Sequence, residues 1–295
     1  MFKKGEVLNR KYRIEKNLGM GGMGHVYLCT NLELGNKWAV KFIPADKVKT
    51  KTISEVEILK KLNHTNLPGI VDIFSDEKGL YIVESYIEGI PLDRLLRAYG
   101  SFAADTVTGW MLQLCDILIY LHGLKPEPII YLDMKPSNII ITRGDRAVLV
   151  DFGISREYGD CLKNCVNMAG TGAYAAPEQL IKGGITDQRT DIYNMGITLY
   201  QLLFGRLPKG GAADCSTARN RAIARLCRII GKCLESRKEG RYQSVEDLKE
   251  ELLIVKSMLL IDGIRQELLF KIEIASVIML SVAAYTATIL GLLSL

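Results

Sequence analysis

The chain has 295 residues, with 38 lysines and arginines against 33 aspartates and glutamates, a formal net charge of +5. Hydrophobic residues make up 48% and charged residues 24%. That excludes a disordered or collagen-like chain and fits one large two-lobed domain or two modest ones. The near balance of charge leaves no basic stripe, so nucleic acid is not an expected partner.

The N-terminus, Met1-Phe2-Lys3-Lys4, is basic but has no apolar run behind it, so it is not a signal peptide. Strand-like stretches follow at Tyr12–Ile14, Val26–Leu28 and Trp38–Ile43, the first two flanking a glycine-rich turn. Val56, Ile58, Leu59 and Leu62 give the 53–62 segment a helical pattern. Ile70–Phe74 and Leu80–Val83 read as two further strands, and 84–91, with Gly89 and Pro91, as a connection between lobes. Helical patterns then dominate over 103–122, 189–204, 217–235 and 244–260, the last opened by Ser244 with Asp247 three residues on. The seven cysteines are odd in number and lack C-x-x-C spacing, which argues for reduced thiols rather than a disulfide framework or a zinc site.

The C-terminus is of another kind. Residues 274–295 carry no charge, and at a rise of about 1.5 Å per residue they would cover roughly 33 Å, enough to cross a bilayer core. The sequence thus predicts a transmembrane helix over 274–295. Ala283, Ala287 and Gly291 would share one face of it, a small-residue face through which two copies could form a homodimer.

Four clusters carry chemistry. Leu18-Gly19-Met20-Gly21-Gly22-Met23-Gly24-His25-Val26 fits G-x-G-x-x-G-x-V, a loop whose backbone N–H groups can approach phosphates. It lies between two strands, not between a strand and a helix, and a lysine, Lys41, follows 17 residues after Gly24 inside the apolar run Trp38-Ala39-Val40-Lys41. The second cluster is Tyr131-Leu132-Asp133-Met134-Lys135-Pro136-Ser137-Asn138. The third, Asp151-Phe152-Gly153, comes 18 residues after Asp133, and the fourth is Gly170-Thr171-Gly172-Ala173-Tyr174-Ala175-Ala176-Pro177-Glu178.

In this order the clusters resemble the glycine-rich loop, strand lysine, catalytic loop, DFG and APE motifs of Hanks-type (eukaryotic-like) Ser/Thr protein kinases, and the wording resembles bacterial, membrane-anchored members. The resemblance covers roughly residues 10–256. It implies an α+β bilobal kinase fold, with a small β-rich N-lobe over 1–84, a larger helical C-lobe with the hinge over 85–256, a juxtamembrane segment over 257–273 and the span over 274–295.

The resemblance also implies transfer of the ATP γ-phosphate to protein Ser/Thr hydroxyls with Mg²⁺, for which Mn²⁺ could substitute. Asp133 would accept or orient the hydroxyl proton, and Lys135 would stabilise the transferring phosphoryl group. Asn138 and Asp151 would hold the metal, and Lys41 would hold the α and β phosphates. Lys41's partner would be Glu55, chosen over Glu57. The residues from Leu18 to Val26, with Ala39, would enclose the nucleotide, and hinge backbone at Ser85 and Ile87 would hydrogen-bond the adenine. Glu178 would pair with Arg241, and Asp191 would hold the catalytic-loop backbone. The kinase lobes would face the cytoplasm. As the chain stops at Leu295, the span is expected to anchor the enzyme near membrane substrates, not to link it to an outer sensor.

Two departures stand out. The family's His-Arg-Asp is Tyr131-Leu132-Asp133, so the arginine that receives an activation-segment phosphate is missing. From Arg156 to Gly170 there is no Ser or Thr to phosphorylate, only Tyr158. The expectation is activity without Ser/Thr phosphorylation of that segment. Glu84 falls at the back of the nucleotide pocket, where the family has an uncharged residue. It could reach Lys41, or a one-residue slip could turn it to solvent. The alternative reading is a membrane-tethered pseudokinase scaffold.

Overall fold

A computed structural model describes residues 2–21, 24–48, 60, 62–126, 128–151, 172–208 and 220–293, with side chains in the last helix described to Ser281. The N-terminal lobe is a six-stranded antiparallel sheet. Its strands are β1 (Val7–Leu8), β2 (Tyr12–Gly21), β3 (Gly24–Asn31), β4 (Lys37–Pro44), β5 (Ile70–Asp76) and β6 (Gly79–Ser85), in the order β1-β2-β3-β4-β6-β5.

Alternation along the strands decides which side chains reach the functional face. Tyr27, Val40, Phe42, Tyr81 and Val83 point to one side and pack as an aromatic-rich core with Phe2 and Phe74. Ile43, Leu80 and Ile82 point to the other and form a separate apolar cluster. Lys41 and Ala39, two and four residues before Ile43, share this second side. β2 and β3 make the hairpin that the glycine-rich motif predicts, with Gly21 opposite Gly24. Gly24 has no room for a side chain, since a Cβ there would meet the Phe42 carbonyl oxygen at 1.8 Å.

The helical lobe opens with the short strand β7 (Gly89–Pro91), within the segment read as a plain connection. It pairs with β8 (Ile139–Thr142), which pairs with β9 (Ala147–Leu149). The helices are α1 (Leu92–Tyr99), α2 (Ala104–His122), α3 (Gln188–Phe204), α4 (Arg221–Cys233) and α5 (Val245–Leu293). Asp187 caps α3 by accepting from the Arg189 N–H at 2.9 Å, and Asn220 caps α4 by accepting from the Ala222 N–H at 2.6 Å. Ser244 and Asp247 form the expected reciprocal cap of α5, each accepting from the other's N–H at 3.1 Å. The core joins Met111, Leu114 and Leu118 of α2 to Ile192 and Leu199 of α3 and to Leu248, Leu252 and Val255 of α5. Cys29, Cys115 and Cys233 are free and buried, whereas Cys227 is disulfide-bonded, a departure from the expected reduced thiols.

α5 differs from expectation. The sequence pattern ends a helix near residue 260, but α5 runs unbroken for 49 residues, so the boundaries expected at 256/257 and 273/274 fall inside it. Its first three turns pack on α2, with Lys249 bridging to Asp116 at 2.5 Å and Lys256 to Asp105 at 2.6 Å. From Leu260 to Leu280 its large apolar side chains are exposed. Among the described residues no helix is long and apolar enough to cross a membrane. The predicted span is therefore not found there, because side chains are described for only its first eight residues, Ile274–Ser281. Ala283, Ala287 and Gly291 lie beyond them.

Candidate active site

The catalytic loop is fixed from beneath by one carboxylate. Asp191, in the first turn of α3, is fully buried and accepts from the Tyr131 N–H at 2.9 Å and the Leu132 N–H at 2.6 Å. Its Oδ2 also lies 2.8 Å from His122 Nε2. Above it, Gln179 Nε2 donates to the Leu132 carbonyl at 3.0 Å. Leu132 has φ of +64°, a left-handed conformation that a branched side chain does not adopt freely. Clamping both ends of the residue holds it there and aims the next residue, Asp133, into the cleft.

Asp133, Lys135 and Asn138 then converge. Lys135 Nζ lies 3.1 and 2.9 Å from the two Asp133 carboxylate oxygens. Asn138 Nδ2 donates to Asp133 Oδ2 and to the Asp133 carbonyl, both at 3.0 Å. The Asn138 amide thus keeps its Oδ1 as an acceptor, which among the described residues meets only a long 3.4 Å contact from the Ser137 hydroxyl. Lys41 reaches across from β4, is only 7% exposed, and pairs with the Asp151 carboxylate. Asp151 itself has φ of +61°. The Val150 N–H donates to the Asn138 carbonyl at 2.9 Å, and the Tyr131 hydroxyl donates to the Val150 carbonyl at 2.6 Å. These bonds tie residues 131–138 to the strand end at Val150 and Asp151. Tyr131 therefore both fills the core and links the two segments.

The oxygens left at Asn138 Oδ1 and on Asp151 suit a hard, oxygen-preferring cation such as Mg²⁺, which takes one or two protein ligands and completes its shell with phosphate and water. Among the described residues no group of three or more His, Cys, Asp or Glu could hold a metal alone. Two candidate ligand side chains beside the buried Lys41 fit a metal shared with a phosphate better than a protein cage.

Leu18, Gly19, Met20 and Gly21 end β2, and Gly24, His25 and Val26 begin β3, with Val26 directly opposite Lys41. Ser85 ends β6 beside Trp38, and its N–H and hydroxyl both donate to the Gly69 carbonyl, at 2.9 and 3.4 Å. Ile87 follows, half-buried. Gly22, Met23, Glu55, Phe152, Gly153 and Thr171 lie outside the described residues, so the Lys41–Glu55 pairing does too.

Glu84 is not turned away by a slip. The register sets it opposite Ala39, with Ile82 opposite Lys41, so its side chain shares the cleft face. Burial raises its carboxyl to about 7, against the pull of Lys41 and with the push of Asp151.

Away from the cleft, Arg241 is 1% exposed and makes a two-pronged pair with Glu178, at 2.7 and 2.9 Å. Thr190 donates to the same carboxylate at 2.8 Å, and the Arg241 guanidinium stacks 4.8 Å over Tyr193. Burial would raise the Glu178 carboxyl, but Arg241 and Thr190 outweigh it and hold it below the usual range.

His122 and Gln179 escape the sequence reading. Nothing marks a single histidine at the end of an apolar helix, or a glutamine beside Glu178, as a support for residues 131–132.

The protein kinase domain family model matches residues 12–262. A protein named as a probable serine/threonine-protein kinase, from Clostridium acetobutylicum, is 29% identical over 274 residues, covering 86% of this chain and 41% of its own. PknB of Mycobacterium tuberculosis is 28% identical, covering 84% of this chain and 43% of its own, and PrkC of Bacillus subtilis 27%, covering 84% and 41%. The chain thus spans about two fifths of the length of these relatives. A solved structure of Rad53 in complex with AMP-PNP superposes with a TM-score of 0.67 at 23% identity, over 82% of this chain and 64% of the other, a likeness of fold. With a match spanning both lobes and every motif of the cleft, the chain belongs to the protein kinase domain family.

Proposed function

We propose that this chain is a membrane-anchored Ser/Thr protein kinase that uses ATP with Mg²⁺ or Mn²⁺ and acts on protein hydroxyls. The observation that carries the reading is the Asp133 carboxylate held by Lys135 and Asn138, next to the Lys41–Asp151 pair. Phosphoryl transfer depends on positioning and charge neutralisation. Asp133 orients the attacking hydroxyl and takes its proton. Lys135, beside it, balances charge on the group in transfer, and Lys41 binds the non-transferred phosphates. The metal, held by Asn138 Oδ1 and Asp151, supplies electrostatic stabilisation of the phosphate oxygens when bound.

Ser/Thr phosphorylation of the activation segment is not required in this reading. Leu132 offers no cation to a phosphate, and its backbone is already held at both ends by Asp191 and Gln179. The apolar segment 274–295 anchors the chain in a membrane with the kinase lobes on the cytoplasmic side, and Ala283, Ala287 and Gly291 provide the contact face of a dimer.

The test is transfer of radiolabelled phosphate from ATP to a generic basic protein, with and without Mg²⁺, by protein made in a host without Ser/Thr kinases. Metal-dependent labelling of serine and threonine is expected. Nucleotide binding without transfer would indicate a tethered scaffold instead, and activity appearing only after phosphorylation within 154–170 would overturn the activation reading. Full-length chain floating with liposomes, and a chain ending at residue 273 failing to, would support the anchor. Crosslinking in those liposomes that yields only monomers would remove the dimer.

A further inference from the structure

Glu84 lies at the end of β6, one residue before the hinge. It stands between two apolar neighbours, opposite Ala39 on one side and Ile70 on the other. Residues directly opposite on antiparallel strands project to the same side about 5 Å apart. The Glu84 carboxyl therefore flanks Ala39, which in the nucleotide-binding reading encloses the base. Among the described residues it has no hydrogen-bond partner. The next polar side chain, Ser85, is already spent on the Gly69 carbonyl. Lys41 and Asp151 are the charged groups that act on Glu84, one favouring its charge and the other opposing it. What this corner of the cleft offers a base is thus a side-chain acceptor.

We propose that Glu84 is a specificity-determining residue that reads the edge of the purine, selecting adenine over guanine. The inference rests on the nucleotide-binding reading above. A carboxylate only accepts hydrogen bonds. Adenine presents a 6-amino donor where guanine presents a 6-carbonyl acceptor. The amine gives the carboxylate a donor, whereas the carbonyl sets acceptor against acceptor.

Calorimetric titration of the full chain, kept in mild detergent and in alkaline buffer so that the carboxyl is charged, tests this with ATP and GTP. The wild-type chain is expected to bind ATP at least about tenfold tighter than GTP, the scale of one charge-assisted hydrogen bond. Glu84→Met should lose about that factor for ATP alone and bring the ratio towards one. Glu84→Gln, whose amide both accepts and donates, should keep ATP and gain GTP. It also serves if the methionine variant folds poorly. An unchanged ratio in either variant, or both affinities moving by one factor as a mere counter-ion of Lys41 would cause, overturns the assignment. Wild-type chain that binds neither nucleotide would overturn the nucleotide reading along with it, whereas ATP binding with an unchanged ratio would remove only the role of Glu84.

Discussion

Asp191 accepts a 2.6 Å hydrogen bond from the Leu132 backbone N–H, and Leu132 is the residue with left-handed backbone immediately before Asp133. A buried helix carboxylate thus holds a costly backbone conformation one residue before the Asp133 carboxylate. The support needs no arginine at position 132, because it reaches the main chain and not the side chain.

Replacing Asp133 by Asn keeps the shape of the loop and removes its proton acceptor. Transfer to protein is expected to fall about 10²–10⁴-fold. ATP affinity should change little, since Lys41 and Asp151 are untouched. Phosphate transfer and nucleotide titration on the same preparation check both, and undiminished transfer would remove Asp133 from the catalytic role.

Tyr131→Phe deletes the hydroxyl that donates to the Val150 carbonyl at 2.6 Å. Leaving that carbonyl short of its partner should cost about 1–3 kcal/mol in denaturant unfolding. Because the bond ties the catalytic loop to Asp151, transfer should fall more than binding of unmetallated nucleotide. A variant of wild-type stability and activity would contradict the linking role.

Arg241→Met strands the Glu178 carboxylate in the core. Breaking a buried pair from one side costs about 3–5 kcal/mol, so the variant should unfold at much lower urea concentration, far from the cleft as it is. The pH sign follows from the lowered Glu178 value. The pair's contribution is fully present above the ordinary glutamate range and is lost as pH falls through the depressed folded value. Acid unfolding of Arg241→Met should therefore show a weaker dependence on pH in that range.

Glu84 has the opposite sign. Its carboxyl titrates near 7 when folded against 4.5 as a free side chain, so between those values the folded chain binds more protons than the unfolded one. Stability should fall as pH rises across that window and level off above it. Glu84→Gln should remove this slope, match the wild type in acid, and gain about 1–3 kcal/mol above pH 7. Urea midpoints measured across the window decide it, and parallel curves for the two proteins would show that Glu84 does not titrate there.

Much of this protein was determined by its sequence alone. Strand alternation, the glycine spacing before Val26 and the apolar faces of α2 and α3 are local patterns, and local patterns survive in one dimension. So do the motifs around Lys41, Asp133 and Asp151, since each places its residues within a few positions of one another. The unbroken course of α5 through residue 260 was hidden, because a change from a buried face to an exposed one alters the pattern without ending the helix. Where Glu84 points was undecidable from the residue string, since a one-residue slip reverses every side chain in a strand. Only the pairing of β4 with β6 set it on the cleft face. The hydrogen bonds by which His122 and Asp191 pair and by which Asp191 and Gln179 grip residues 131–132 likewise join positions 47 to 69 apart in the chain. Hydrogen bonds of that range exist only after the helices have packed, which is why the tertiary structure, and not the motif, decides how the catalytic loop is held.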